Sequence, residues 1–208
     1  MDQLVEIKSK IQINPSRVGK KYFVKTFGCQ MNEHDSERIS GMFELDGMSK
    51  AISEEYADVL FVNTCTIREN ADDKLYGTLG QLKQWKSQKD NRKLLVGGCA
   101  AQKDKELVRE KAPWVDVVIG THNLTNVVDL LNRSEDWGPL TEIIDEIETL
   151  PTEAPSIRES EYSAWVTIQI GCNNSCTFCI VPSVRGQEIS RRPSDCLLYT
   201  SPSPRDNR

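Results

Sequence analysis

The chain has 208 residues, a formal net charge of −5, 38% hydrophobic residues and 27% charged residues. This composition is typical of a globular protein with a real core. It argues against a disordered chain and against one that grips nucleic acid through bulk positive charge. No apolar run approaches the length of a bilayer span, and the first ten residues lack the apolar stretch of a signal peptide. We therefore expect a cytoplasmic protein without a membrane partner.

Strands and helices alternate through the first 132 residues, after an aperiodic segment at 1–19. Aromatic and β-branched runs predict four strands, at 21–27, 58–64, 92–98 and 115–120. Apolar residues at helical spacing predict helices at 32–47, 69–86, 103–112 and 123–132. We expect Asn32 or Asp35 to cap the first helix. This alternation predicts an α/β fold with an open parallel sheet and helices on both faces.

The alternation ends near residue 133. Residues 133–161 are acidic and contain three prolines, which predicts a linker, part of it an extended segment packed on the sheet. Residues 164–171 are predicted to form a strand that leads directly into a cysteine motif. The segment 195–208 has no periodicity and two Ser-Pro steps, so it is unlike the continuation of a domain.

The cysteine motif is CxxxCxxC, formed by Cys172, Cys176 and Cys179. Thiolates suit iron–sulfur clusters and zinc, and structural zinc needs four protein ligands. No fourth Cys or His lies nearby, which favours a four-iron cluster with one iron open to a ligand. The alternatives are a zinc knuckle completed by a remote cysteine, and a chance arrangement.

Three more cysteines each follow a predicted strand: Cys29, Cys65 and Cys99. Any one of them alone is more often an inert buried residue. Ligands of open α/β sheets bind at the carboxyl ends of the strands, and adjacent strands bring these thiols to one edge. We therefore expect a shared cluster there. Nucleotide binding is disfavoured, because these turns carry no glycine-rich phosphate motif.

The CxxxCxxC motif resembles that of the radical S-adenosylmethionine superfamily. The resemblance implies that Cys172, Cys176 and Cys179 hold a [4Fe–4S] cluster whose open iron binds S-adenosylmethionine, and that one electron then yields a 5′-deoxyadenosyl radical. Phe178 matches the aromatic position near the adenine; the alternative is a core aromatic.

The two cysteine trios together resemble the methylthiotransferase family, from about residue 20 to residue 194. The words "GCQMNEHDSE", "NTCTIRENAD", "GGCAAQ", "VDVVIGTHN" and "GCNNSCTFCIVPSVRGQEISRRP" are similar to its tRNA-modifying branch. The implied organisation is a leader (1–19), a methylthiotransferase domain (20–132), a linker (133–161) and the start of a radical domain (162–194). The radical domain would contribute the first strand and cluster loop of an incomplete partial barrel.

The resemblance implies that Cys29, Cys65 and Cys99 hold an auxiliary [4Fe–4S] cluster that carries or binds the inserted sulfur. One S-adenosylmethionine gives its methyl to that sulfur. A second yields the radical that removes hydrogen from carbon 2 of dimethylallyladenosine beside the tRNA anticodon, producing the 2-methylthio derivative. The implied partners are the tRNA and an electron donor such as flavodoxin or ferredoxin.

Several polar residues near the two trios are further candidates. Four residues could donate hydrogen bonds to sulfur: Asn63, Arg68, Glu69 and Asn70. The alternative is that these residues are helix caps or surface charges. We expect a small basic patch formed by Arg185, Arg191 and Arg192, which could contact phosphate. The alternative is an ordinary solvated surface.

The chain departs from the family after residue 194. The family continues with the rest of the barrel and an RNA-binding domain, whereas 195–208 is an atypical tail in which Cys196 has no assigned role. We therefore expect a truncated chain whose first radical-domain strand lacks a partner and which cannot function as an enzyme as written. Two alternatives stay open: a ribosomal-protein methylthiotransferase, and a non-catalytic iron–sulfur or zinc-binding module.

Overall fold

The computed structural model describes residues 14–66, 71–146, 156–158, 160, 162–194 and 196. Its strands are β1 (Lys21–Thr26), β2 (Ser49–Lys50), β3 (Val59–Thr64), β4 (Lys93–Gly98), β5 (Val117–Ile119), β6 (Leu140–Glu142), β7 (Gln169–Ile170) and β8 (Ile189–Ser190). Its α-helices are α1 (Gln30–Leu45), α2 (Ala71–Ser87), α3 (Cys99–Asp104), α4 (Leu107–Lys111), α5 (Val127–Trp137) and α6 (Val181–Arg185). Within the described ranges, 3₁₀ helices lie at Pro15–Arg17, Glu54–Tyr56 and Leu124–Asn126.

The main sheet has six strands in the order β2-β1-β3-β4-β5-β6, and every neighbouring pair is parallel. Apolar side chains of α2, α3 and α4 pack on one face of the sheet. Those of α1 and α5 pack on the other face. The predicted α/β fold with helices on both faces is therefore confirmed.

The central strand β3 shows why this sheet forms. Side chains alternate across a strand, and its core residues divide between the two faces. Leu60 and Val62 pack with α2, whereas Val59 and Phe61 pack with α1 and α5. All six residues of β3 are buried. Residues 59–62 form a continuous apolar run, which is typical of a parallel strand that is covered on both sides.

Three details differ from the sequence prediction. Helix α5 runs on to Trp137, and β6 then adds a strand to the sheet edge, within the predicted linker. Helix α3 begins at Cys99, before the predicted helix at 103–112. The N-cap of α1 is Cys29 without a side-chain cap bond, so the predicted caps Asn32 and Asp35 are wrong.

Residues 1–13, most of the predicted leader, and 195 and 197–208, most of the predicted tail, lie outside the described residues. The end of the leader packs against the sheet domain. The buried Arg17 forms ion pairs with Glu135 at 2.7 Å and with Asp46 at 3.4 Å.

The segment after residue 162 forms a second, smaller unit. Within the predicted strand 164–171, only β7 is assigned as a strand, and it pairs antiparallel with β8. The expectation of an unpaired first strand is therefore wrong for these two residues, and no barrel is seen among the described residues. Helix α6 docks on the sheet domain, since Thr121 Oγ1 donates a hydrogen bond of 2.6 Å to the carbonyl of Val184. Among the described helices, none is long and apolar enough to cross a bilayer.

Candidate functional site

The ends of β1, β3 and β4 bring the first cysteine trio to one edge of the sheet. Thr26 pairs with Asn63, and Thr64 pairs with Gly98, so the three strands end at one level. Cys65 and Cys99 directly follow β3 and β4, and Cys29 lies three residues beyond β1. Because the strands are parallel and adjacent, their following loops meet at this edge.

The side chain of Asn32 lies at the centre of this group. Its Nδ2 donates to the carbonyl oxygens of Phe27 at 2.9 Å and Thr64 at 2.8 Å, and these two hydrogen bonds tie the loop after β1 to the last residue of β3. Its Oδ1 lies 3.9 Å from the sulfur of Cys29 and 4.0 Å from that of Cys99. The sulfur atoms of Cys29 and Cys99 therefore both lie within 4.0 Å of the same oxygen atom.

Cys65 completes the group. A Cβ atom added at Gly28, the residue before Cys29, would lie 3.2 Å from the Cys65 sulfur. Cys65 and Cys99 are buried, and Cys29 is half-buried. Burial raises the pKa of the Cys99 thiol, and the guanidinium of Arg185 opposes this rise. The trio is thus largely withdrawn from water.

The spacing of these thiols differs from that of a single-ion site. Among the side chains that the structure describes, no three His, Cys, Asp or Glu residues form a group able to hold one metal ion. In a four-iron cluster each cysteine binds a different iron atom, so the sulfurs of a ligand trio stand farther apart than around one zinc ion.

Asn63 and Gly98 form the buried floor of the site. Asn63 Nδ2 donates to the Asn32 carbonyl at 2.8 Å and to Ser36 Oγ at 2.9 Å, so both of these hydrogen bonds go to oxygen and not to sulfur. Gly98 has a φ of +91°, and a Cβ atom there would lie 2.5 Å from the carbonyl oxygen of Thr64. Only glycine fits this turn between β4 and α3 without displacing its neighbours. Arg68, Glu69 and Asn70 lie outside the described residues.

Arg185 enters this site from the segment that carries the second trio. Its side chain is 4% exposed, and its Nε lies 3.3 Å from the Cys99 sulfur. Its Nη2 donates to Asn32 Oδ1 at 3.0 Å, and its Nη1 pairs with Asp35 Oδ2 at 2.7 Å. Burial acts to lower the pKa of Arg185, but Asp35 and Cys99 outweigh it, and the pKa lies above its ordinary range.

The predicted basic patch is therefore wrong for Arg185, which is buried and paired within the protein. Arg192 is exposed, and Arg191 is half-buried. The three arginines do not share a common surface, because the side chain of Arg185 turns inward to Asp35 and Asn32.

The second trio has a different environment. Cys172 is half-buried, while Cys176 and Cys179 are exposed. The loop is held at its base, where the Cys172 amide donates to the Gly186 carbonyl at 3.2 Å. Phe178 is 99% exposed, so the core-aromatic alternative for this residue is wrong. The three thiols share one short loop that little of the described protein covers.

A cleft of about 190 Å³ lies between the start of α1 and residues 165–170. Asp35 and Arg185 line it, so this cleft reaches the polar residues beside the first trio. His34 and Arg38 line the same wall of α1.

Comparison with known proteins identifies the sheet domain. Residues 21–120 match the family model described as "Uncharacterized protein family UPF0004". Residues 21–120 are a UPF0004 domain. This range contains β1 to β5 and all three cysteines of the first trio.

Relatives of this chain extend the likeness through the second trio. A tRNA-2-methylthio-N(6)-dimethylallyladenosine synthase of Tropheryma whipplei is 57% identical over 181 residues, which is 86% of this chain and 38% of the relative. Proteins of the same name from Corynebacterium diphtheriae and Corynebacterium urealyticum are 53% and 50% identical, over 86% and 92% of this chain. The chain spans about 35% and 36% of the length of those two relatives.

Two residues of the site were not identified from the sequence as parts of it. Asn32 stands three residues after Cys29, within the first turn of α1, and its closeness to a cysteine was the available signal. No local pattern reveals the role of Arg185, because its side chain reaches the first trio only when α6 docks on the sheet domain.

We expect Gly98→Ala to destabilise the chain more than Gly138→Ala. Both glycines have nearly the same backbone conformation, with φ of 91° and ψ of −165° at Gly98 and φ of 89° and ψ of −172° at Gly138. Such conformations cost other residues about 1–3 kcal/mol. Only Gly98 is also crowded, since Gly138 has no atom within 4 Å of an added Cβ. Urea unfolding of both variants measures the difference, and equal losses would contradict the crowding argument.

His34 gives the stability of the chain a dependence on pH. Burial, followed by the charge of Arg38, lowers the pKa of His34 from 6.5 to about 4. Asp35 acts in the opposite direction, Arg191 lowers the pKa further, and Glu37 Oε2 lies 3.7 Å from Nδ1. The unfolded chain binds more protons than the folded chain between these two pKa values. The stability contributed by neutral His34 is therefore present above pH 6.5 and is lost as the pH falls towards 4.

We predict that the wild-type chain loses about 3 kcal/mol more than His34→Gln as the pH falls from about 7.5 to about 4, by linkage. Urea unfolding of both proteins across this range measures the difference. Asp46, whose pKa burial raises to about 6, acts in both proteins and cancels. Parallel stability curves for the two proteins would show that His34 is not the group responsible.

Proposed function

We propose that this chain belongs to a tRNA methylthiotransferase that converts dimethylallyladenosine beside the anticodon to its 2-methylthio derivative. The observation that carries this proposal is the gathering of Cys29, Cys65 and Cys99 around Asn32. The relatives named tRNA-2-methylthio-N(6)-dimethylallyladenosine synthase support it, because they match 86% or more of the chain at 50–57% identity.

The residues of the first trio fit an auxiliary [4Fe–4S] cluster. Such clusters are usually held by four cysteine thiolates, so three leave one iron free for another ligand, such as the sulfur to be inserted. The site is largely buried, which keeps water from the open iron. A buried thiolate is costly unless a cation is near, and the guanidinium of Arg185 stands beside Cys99.

Cys172, Cys176 and Cys179 fit a second [4Fe–4S] cluster with one open iron. With S-adenosylmethionine bound, that cluster supplies a one-electron cleavage that yields a radical able to remove hydrogen from an unactivated carbon. The described residues contribute three thiols on one loop, and Asn174 Nδ2 lies 3.5 Å from the Cys172 sulfur. The aromatic ring of Phe178 is exposed and could pack against the adenine of the cofactor.

The exposure of this loop has two consequences. A protein electron donor, such as flavodoxin or ferredoxin, can approach the second cluster directly. A radical formed with the cofactor bound there would also meet water, whereas this chemistry requires a closed site. Residues 1–208 by themselves are therefore inactive, although they hold both clusters.

The first test is metal analysis after anaerobic reconstitution with iron and sulfide. We expect about eight irons per chain in the wild type and about four when Cys172, Cys176 and Cys179 are all changed to alanine. The complementary triple variant at Cys29, Cys65 and Cys99 is expected to hold about four as well. Cys196→Ala is the control and should leave the iron content unchanged.

Zinc without sulfide, in place of iron, would overturn the proposal in favour of a zinc-binding module. If only one of the two triple variants has a lower iron content than the wild type, the other cysteine site holds no cluster. That result would also contradict the proposal.

The substrate is tested in the host of this gene by deletion and nucleoside mass spectrometry. We expect 2-methylthio-dimethylallyladenosine to disappear from tRNA and dimethylallyladenosine to accumulate. A full-length relative, such as that of Tropheryma whipplei, should restore the modified nucleoside, and residues 1–208 alone should not. Loss of methylthiolation from a ribosomal protein, with tRNA unchanged, would favour the ribosomal alternative. Restoration by residues 1–208 would contradict the inactivity of this chain.

A further inference from the structure

Arg185 belongs to the segment of one cysteine trio but makes its polar contacts with residues around the other. It is the last residue of α6, which begins two residues after Cys179. All three of its guanidinium nitrogens reach residues of the sheet domain: Cys99, Asn32 and Asp35. A guanidinium whose three nitrogens each contact a different residue is fixed in both position and orientation.

The next residue connects the same turn to the second trio. The carbonyl of Gly186 accepts the amide of Cys172, and a Cβ atom at Gly186 would lie 3.1 Å from the ring of His122. Val184, on the other side, is fully buried and accepts a hydrogen bond from Thr121. Residues 184–186 therefore contact the sheet domain and the base of the second cysteine loop at once.

The contact with Cys99 has an electronic consequence. A donor that points at a ligating sulfur withdraws charge from it, and hydrogen bonds to cluster sulfurs are among the features that set reduction potentials. The guanidinium is cationic at all relevant pH values, and the site is largely dry, so its charge is poorly screened. The reduced cluster carries one more negative charge than the oxidised cluster and gains more from this cation.

We propose that Arg185 is a positioning residue of the first site, and that its hydrogen bond to the Cys99 sulfur raises the reduction potential of the cluster held there. This inference rests on the proposed function, since it requires a cluster at Cys29, Cys65 and Cys99. Asp35 has the opposing role, because its carboxylate pairs with Arg185 and offsets part of the positive charge.

The test uses the 208-residue chain in which Cys172, Cys176 and Cys179 are alanine, so that any cluster belongs to the first site. Into this parent we introduce Arg185→Gln, Asp35→Asn or the control Arg192→Gln, which alters an exposed arginine seven residues further on. Each protein is reconstituted without oxygen, and its iron and sulfide are quantified. The midpoint potential is then measured by redox titration followed by electron paramagnetic resonance.

We expect Arg185→Gln to lower the ratio of reduced to oxidised cluster at least tenfold at a fixed potential, which is a midpoint about 59 mV lower for one electron. Asp35→Asn should move the midpoint upward, because it removes a negative charge. Arg192→Gln should match the parent. A merely structural role for the pair predicts shifts of one sign, since both substitutions would loosen the same contact.

Equal midpoints in the parent and Arg185→Gln, or a downward shift in Asp35→Asn, would overturn the inference. If Arg185→Gln does not hold a cluster, Asp35→Asn decides: a midpoint above the parent supports the inference, and any other value overturns it. A parent that binds no iron would instead refute the proposed function at the first site, so the two failures are distinguishable.

Discussion

The side-chain amide of Asn32 holds the first cysteine site together. It bonds to the chain after β1 and to the last residue of β3. Its oxygen faces the sulfurs of Cys29 and Cys99 and accepts a hydrogen bond from Arg185. The parallel order β1-β3-β4 brings the three loops to one edge, but it does not fix their separation. A buried amide with its hydrogen bonds satisfied does so, because breaking any one of them leaves an unpaired polar group away from water.

The two cysteine sites differ in their burial and in their access to solvent. The first lies on a rigid sheet, with two buried thiols and a buried ion pair beside it. The second lies on a short loop whose outer thiols are open to solvent. In the proposed function, the buried site would protect a reactive sulfur and the exposed loop would receive electrons.

The sequence was most informative where the residue pattern is local. The apolar runs of β3 and β4 and the spacing of Leu75, Leu79 and Leu82 predicted their elements within two residues. The positions of the three cysteines after predicted strands indicated that they lie close together. The carboxyl ends of adjacent parallel strands meet at one edge of the sheet. The placement of Arg185 was missed, since it depends on docking between segments far apart in the chain. Strand β6 was anticipated only as extended chain, because its three residues acquire a strand partner only through tertiary packing.

The shortness of α6 places a covalent constraint on the spacing of the two sites. Only five residues separate Cys179 from Arg185, and most of them are helical. Each residue of a helix turns the chain by about 100°, so inserting or removing one there would swing the guanidinium away from its sulfur partner. The number of residues between Cys179 and Arg185 thus fixes the direction in which the Arg185 side chain points. In this segment the length of the sequence matters as much as the identity of its residues.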